Sequence, residues 1–234
     1  MGAGGVRRGA AHALVLGGVL GSVLTGCSTG PEAGTPPRAP SPTATAGAPR
    51  AVARSGGTIG AAGSACALPV TFDVAPKWKA KAVRSGTAGK TPADRDSASP
   101  DAGAQELVDA LLRQGPVTVV CEIDAKPAGN IGFLRVWTAG PGSDDARTVL
   151  EEFVAAEDGA SGARYRTFTA GGLDGVEVGY HVTNEFLDGP KEESALAVVT
   201  GRGPVVLHLG GLDGEEHEQM LPAYELAKKT LRAS

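Results

Sequence analysis

The chain has 234 residues and a formal net charge of −4, with 22 Lys and Arg residues against 26 Asp and Glu residues. A chain with this charge lacks the strong basic character of nucleic-acid binding proteins, so we expect no nucleic-acid partner. Hydrophobic residues make up 41% of the chain and aromatic residues 4%, which predicts an ordinary globular core with little stacking surface for sugars or bases.

The first 27 residues have the pattern of an export signal. Arg7 and Arg8 give a positive start, and a run of small and apolar residues follows from 10 to 23, interrupted only by His12 and Ser22. A charged start, a short apolar run and a small-residue cleavage site define a secretory signal. The run is too short to cross a bilayer as a helix, which takes roughly 20 apolar residues.

The segment Leu24-Thr25-Gly26-Cys27 ends this run and resembles the lipobox of bacterial lipoproteins. The resemblance implies cleavage between Gly26 and Cys27 and attachment of diacylglycerol to the Cys27 thiol, with palmitate-type acyl chains. Two acyl chains suffice for stable attachment, so we expect a lipid anchor on the extracytoplasmic face of the cell membrane. The alternative is an ordinary secretory signal with an unrelated cysteine. The route of export, Sec or twin-arginine, stays open.

The next segment consists almost entirely of Gly, Ala, Pro, Ser and Thr, a composition typical of a high-GC actinobacterium. Such a segment has too little apolar surface to offset its conformational entropy. The sequence therefore predicts a signal peptide at 1–26, a lipidated cysteine with a disordered tether at 27–65, and one globular domain at 66–234.

Two cysteines remain in the domain, Cys66 and Cys121. An even pair in an exported domain predicts a disulfide bond, and two buried free thiols are the alternative. No CxxC or HxxxH spacing accompanies them, so we predict no metal site and no cofactor.

Periodicity predicts the elements of the domain in chain order. A strand at 70–74 is followed by a long polar loop, and a helix that begins at Ser99 and ends at Gly115 carries a core-facing apolar stripe (Leu107, Val108, Leu111 and Leu112). On the strand at 117–124, Val117, Val119, Cys121 and Ile123 are expected to share a buried face. The other predicted elements are strands at 130–138, 164–169, 176–184, 194–200 and 204–210, a helix capped by Ser143, and a C-terminal helix capped by Asp213.

These elements predict an α+β domain with a mainly antiparallel sheet of about six to seven strands and helices packed on its faces. The strand at 176–184 alternates cleanly between apolar and polar residues, which predicts that one face of the sheet is solvated or polar there.

Three segments carry a resemblance to a known family: the strand and Pro-x-Trp turn at 72–78, the Gly-rich turn and strand at 171–178, and the hairpin and helix at 195–231. In this order they resemble the actinobacterial LpqN/LpqT-type lipoproteins, which share the fold of the photosystem II protein PsbP and the Ran-binding Mog proteins. The resemblance implies a non-catalytic binding or accessory domain. Its ligand would be a lipid, a small apolar molecule or a partner protein.

The alternative function is enzymatic. Neighbouring strands would bring Glu177, His181 and His208 together on the polar face, as a general-base or metal cluster of a hydrolase or metal-dependent enzyme. The other interpretation of these three residues is unrelated solvated or hydrogen-bonded side chains. We expect no enzyme, and the position of the three side chains decides between the two functions.

Overall fold

The computed structural model describes residues 50–83, 107–108, 110–142, 144–183 and 189–234. The signal peptide, Cys27, most of the predicted tether and the start of the predicted helix at Ser99 lie outside these residues. Within them, no helix combines the length and apolar character needed to cross a membrane.

Eleven strands and two α-helices are formed by the described residues, and residues 107–108 and 110–111 are also helical. The helices are α1 (Ala146–Ala155) and α2 (Gly214–Thr230), and a 3₁₀ turn spans Lys126–Ala128. The strands are β1 (Gly57–Ile59), β2 (Val70–Val74), β3 (Lys79–Ala82), β4 (Arg113–Gln114), β5 (Val117–Asp124), β6 (Gly132–Thr138), β7 (Ala160–Ala170), β8 (Leu173–Val182), β9 (Lys191–Thr200), β10 (Gly203–Gly211) and β11 (Arg232–Ala233).

The main sheet is antiparallel, with the strand order β3-β5-β6-β10-β9-β8-β7 and the short β4 beside β5. A second sheet has the order β1-β2-β11. Helix α1 packs on one side of the main sheet, and α2 packs on the other side together with the small sheet. The predicted α+β class with an antiparallel sheet is confirmed, with more strands than predicted. The face of β8 predicted to be solvated or polar carries Glu177 and His181, which are both half-buried, and α2 covers part of it.

The domain begins before residue 66, so the predicted boundary is too late. Ile59 in β1 pairs with Phe72 in β2 and is buried. The backbone N–H of Ala53 donates to the carbonyl of Pro222 in α2 at 2.8 Å. Short strands without a long apolar run leave little periodicity, so this segment resembled a tether in composition.

Helix α1 follows the prediction in its buried stripe, since Val149, Leu150, Phe153 and Val154 all lie in the core. Its N-cap is Asp145, and the predicted cap at Ser143 is wrong: the Asp145 carboxylate accepts from the Thr148 N–H at 2.8 Å. The cap predicted for α2 is confirmed, since Asp213 accepts from the Glu216 N–H at 2.9 Å.

A β-bulge between Val119 and Cys121 changes which side of the sheet β5 presents. Val117 and Val119 therefore lie on the α1 side, whereas Cys121 and Ile123 lie on the α2 side. The prediction of one shared face is wrong, because an inserted residue shifts the two-residue alternation. All four side chains are buried nevertheless, since both sides of the sheet are covered.

The apolar stripe predicted between Ser99 and Gly115 does not face the core. Leu107 is 62% exposed and Leu111 is 75% exposed, and only Leu112 packs against the α1-side core.

Cys66 and Cys121 form the predicted disulfide, with a Cα–Cα distance of 6.0 Å. Both residues are buried. The bond joins the segment between β1 and β2 to β5 in the main sheet and closes a sequence separation of 55 residues.

Candidate functional site

The three residues of the predicted polar cluster do not come together. Glu177 faces α2, where its Oε2 accepts from Lys228 Nζ at 2.7 Å. His208 faces the α1 side, where its ring lies edge-on to Phe153 with the centroids 5.4 Å apart. The described residues contain no group of three or more His, Cys, Asp or Glu that could hold a metal ion. The predicted general-base or metal cluster is therefore wrong.

Strand register explains why these residues separate. Strand β9 lies between β8 and β10, and Ala195 in β9 pairs with both Val178 and His208. Cross-strand partners project to the same side of a sheet, so His208 shares a side with Val178 and not with Glu177 or His181. The order of the strands in the sheet therefore separates His208 from Glu177 and His181, and sequence periodicity does not predict that order.

His208 belongs instead to a buried set of polar residues that we call the α1-side cluster: Tyr180, Lys191, Glu193 and His208. His208 Nε2 lies 3.1 Å from the hydroxyl of Tyr180 and also contacts Glu193 Oε2. Lys191 Nζ contacts the other oxygen of Glu193. Glu193 is 2% exposed and His208 is 5% exposed, so these contacts lie away from water.

Electrostatics hold the Glu193 carboxyl ionised. Burial by itself raises the pKa of this group, but the charges and hydrogen bonds of His208 and Lys191 together outweigh burial and lower the pKa from 4.5 to about 2. The pKa of Tyr180 moves in the opposite direction, well above its usual value of 10, because burial and then the charge of Glu193 disfavour the phenolate. Tyr180 therefore stays protonated beside an ionised carboxylate.

A pocket of about 330 Å³ opens beside this cluster, and we call it the α1-side pocket. Lys191, Glu193 and His208 line it together with Trp137 and Gln114. Gln114 is occupied, since its Nε2 donates to Glu157 Oε2 at 2.8 Å. Trp137 is 7% exposed, yet its indole Nε1 is buried without any hydrogen-bond partner in the structure. The residues that line the pocket therefore include paired charges and a tryptophan whose indole donor is unused.

A larger groove of about 690 Å³ lies at the start of α1, lined mainly by apolar surface from Phe168, Val176 and Val199. Asp145 at its edge is already used as the helix cap. None of the buried side-chain atoms that lack a partner belongs to the residues that line this groove. The groove consequently shows no unmet interaction that would identify an occupant.

Most of the chain matches a known protein family. The sequence pattern of a family described as uncharacterised lipoproteins matches residues 36–231. The chain belongs to this family. The predicted lipoprotein class is confirmed at that level, while lipidation at Cys27 and the LpqN/LpqT subtype stay predictions, because the match begins after the lipobox.

The solution structure of cyanobacterial PsbP from Synechocystis sp. PCC 6803 is similar to this lipoprotein at 13% identity. The likeness covers 76% of this chain and 98% of that chain, with a TM-score of 0.44. PsbP is the fold type named in the sequence resemblance, but a TM-score of this size decides neither fold nor function. Comparison with curated protein sequences finds no significant match.

Sequence reasoning missed three members of the α1-side cluster in this lipoprotein: Tyr180, Lys191 and Glu193. Tyr180 belongs to the apolar alternation of the strand predicted at 176–184, whereas Lys191 and Glu193 lie before the strand predicted at 194–200. A signal was present, since Glu193 directly precedes the small and apolar residues of that predicted strand. A charge that adjoins such a run is a candidate for burial.

Proposed function

We propose that this lipoprotein is held on the extracytoplasmic face of the cell membrane by diacylglycerol on Cys27, and that its folded domain binds a small polar molecule in the α1-side pocket. Binding rather than catalysis is the role proposed for the domain. The enzymatic alternative loses its basis, because Glu177 and His208 lie on opposite sides of the sheet.

The anchor is supported by the lipobox at 24–27 and by membership of a lipoprotein family. A Cys27→Ser variant lacks the thiol that accepts the lipid, so it should accumulate as a longer precursor that incorporates no labelled fatty acid. Ser28→Ala is the matched control and should be processed normally. Normal cleavage and labelling of Cys27→Ser would exclude the proposed anchor.

The unused indole N–H of Trp137 is the observation that supports ligand binding in the α1-side pocket. A buried donor without an acceptor costs about 1–3 kcal/mol, and an oxygen of a bound molecule would remove that cost. Lys191 and His208 both contact the Glu193 carboxylate, so the ligand does not need to carry a charge.

Burial of these charges also fits a binding role. Taking a carboxylate and a lysine out of water costs several kcal/mol per ion, and an apolar core of the same volume is often at least as stable. Groups kept in such an arrangement are candidates for functional sites. The pocket volume of about 330 Å³ lies within the range of small-molecule sites.

The two tryptophans of the chain provide a matched pair for the test. The full lipoprotein, extracted in a neutral detergent, is dialysed against a polar small-molecule extract of its own cells, and retained compounds are identified by mass spectrometry. Trp78 is buried on the α2 side, outside the pocket. Trp78→Phe should retain the same compound as the unmodified protein, and Trp137→Phe should lose it at least tenfold.

Fluorescence supplies the second measurement, because Trp78→Phe leaves Trp137 as the single tryptophan. Adding the identified compound to Trp78→Phe should change the emission of Trp137. No retained compound, or equal retention by both variants, would exclude binding in the α1-side pocket.

A further inference from the structure

A second, smaller cavity lies on the opposite side of the main sheet and is independent of the proposed function. Its volume is about 160 Å³, and it lies between β7, β8 and the first turns of α2. We call it the arginine pocket, and the residues that define it are Arg50, Arg164, Arg166, His181, Ser194 and His217.

The register of β7 places one of these arginines opposite a glycine. Arg164 pairs with Gly179 and Arg166 pairs with Glu177 in β8. Gly179 has no side chain, and a Cβ built there would meet nothing within 4 Å. The space beside the Arg164 position is therefore open and not filled by a packed side chain.

The cationic groups of the arginine pocket have little local neutralisation. Among the described residues, neither Arg164 nor Arg166 has a carboxylate within salt-bridge distance. Glu177, the cross-strand partner of Arg166, is paired with Lys228 at 2.7 Å. Arg50 contacts Glu225 at 3.3 Å. An anion would find at least two guanidinium groups available.

Two histidines that line the pocket have a buried ring nitrogen without a partner. His217 is 1% exposed, its Nε2 lies 3.1 Å from the Ser194 hydroxyl, and its Nδ1 has no partner in the structure. Burial is the main cause that lowers the pKa of His217 from 6.5 to about 4, so the ring is neutral at pH 7. When the Ser194 hydroxyl donates to Nε2, the proton on Nδ1 is a free donor.

His181 adds a second nitrogen of the same kind, since its Nδ1 is also buried without a partner. The carboxylates that line the pocket are Glu192 and Glu193, and Glu193 is already bound to His208 and Lys191 on the α1 side. Two guanidinium groups without a salt-bridge partner among the described residues, those of Arg164 and Arg166, thus line the pocket together with Glu192 and with two buried imidazole nitrogens that lack partners.

We propose that the arginine pocket binds a phosphate group. The planar guanidinium of arginine matches the oxygens of phosphate with two parallel hydrogen bonds, which makes Arg164 and Arg166 suitable for holding the charge. The imidazole donors of His217 and His181 would bind the oxygen that points into the cavity. A volume of 160 Å³ admits the phosphate group itself and leaves any larger attached part outside.

The phosphate has two sources for a membrane-anchored protein, free phosphate compounds and the headgroups of phospholipids. Both present the same oxygens to the pocket. Titration of the full lipoprotein in a neutral detergent with inorganic phosphate tests the first source, and mixed micelles that contain phosphatidylglycerol test the second. Detergent micelles without phospholipid, at equal ionic strength, are the control.

Nitrogen-15 NMR of labelled histidines reports on the site directly. The ring nitrogens of His217 and His181 should shift on titration, while those of His208, on the other side of the sheet, should stay unchanged. Shifts with inorganic phosphate indicate a soluble phosphate ligand, and shifts only with phosphatidylglycerol indicate a lipid headgroup. Shifts with neither, or equal shifts of all three histidines, overturn the proposal.

Charge variants separate this site from general attraction of anions. Arg164→Gln combined with Arg166→Gln should weaken binding at least tenfold. Arg113→Gln, which removes an exposed positive charge in β4 outside the pocket, should leave the affinity within twofold. All three arginines are exposed, so these variants should fold normally, which circular dichroism checks. Equal weakening by Arg113→Gln would overturn the proposal.

Discussion

The burial of His217 predicts that the free energy of unfolding depends on pH. Its pKa in the folded protein is about 4, mainly because burial disfavours the charged ring, although Glu193 and Glu192 partly oppose this effect. In the unfolded chain the pKa returns to the usual 6.5. Between these two values the unfolded state binds a proton that the folded state does not bind. The free energy of unfolding must therefore fall as the pH falls from 6.5 to 4.

The size of the effect follows from the two pKa values. At pH 7 both states are largely neutral, so His217 has little influence on stability. At pH 5 the unfolded state is almost fully protonated and the folded state is almost fully neutral, which lowers the free energy of unfolding by about 2 kcal/mol. Glu193 does not contribute between pH 7 and pH 5, because folding lowers its pKa from 4.5 to about 2. The stability that this carboxylate provides is lost only below pH 4.5.

Urea unfolding of the full lipoprotein in neutral detergent, at pH 7 and pH 5, measures this difference. His217→Gln cannot titrate, so its free energy of unfolding should change about 2 kcal/mol less between the two pH values. His181→Gln is the matched control and should retain the dependence that His217 produces. The reasoning is refuted if His217→Gln retains the same pH dependence as the unmodified protein.

Two further predictions concern covalent and backbone constraints. Replacing Cys66 and Cys121 by Ala should lower the free energy of unfolding in guanidinium by about 4 kcal/mol, the chain-entropy value for their separation; a loss below about 1 kcal/mol would contradict it. Gly203 has a φ of 112°, and a Cβ there would lie 2.3 Å from the Ala139 oxygen. Gly203→Ala should thus lower the free energy of unfolding by about 2 kcal/mol. Gly201→Ala, in open space in the same turn, should change this free energy little. Equal losses in the two variants would count against the steric reason.

The sequence predicted most of the main sheet because its strands carry strong local signals. The alternation of Val176, Val178, Tyr180 and Val182 identifies β8, and all four side chains are buried. The apolar spacing of α1 likewise identifies its buried stripe. In both elements the periodicity of the sequence agrees with the packed structure. Residues at the period of a strand or helix lie on one face of it, and that face is buried in the core.

The predictions failed where contacts between residues distant in the sequence determine the structure. The bulge after Val119 moves Cys121 to the other side of the sheet, and no residue type in β5 indicates that a bulge occurs there. The predicted site failed in the same way, because strand order determines which side His208 shares with its neighbours. The α1-side cluster was missed since Glu193 acquires its partners only when β9 and β10 pair.

The disulfide gives the folded domain a mechanical property. A pulling force that enters from the N-terminal side first meets residues 50–65, which are held by β1 and by the hydrogen bond from Ala53. At Cys66 the load passes through the covalent bond to Cys121 in β5 of the main sheet. Tension can therefore peel away only this short leading segment before it is spread over β5 and its neighbouring strands. A protein tethered by its N-terminus would keep its α1-side pocket intact while its anchor is under strain, whereas the arginine pocket would lose Arg50.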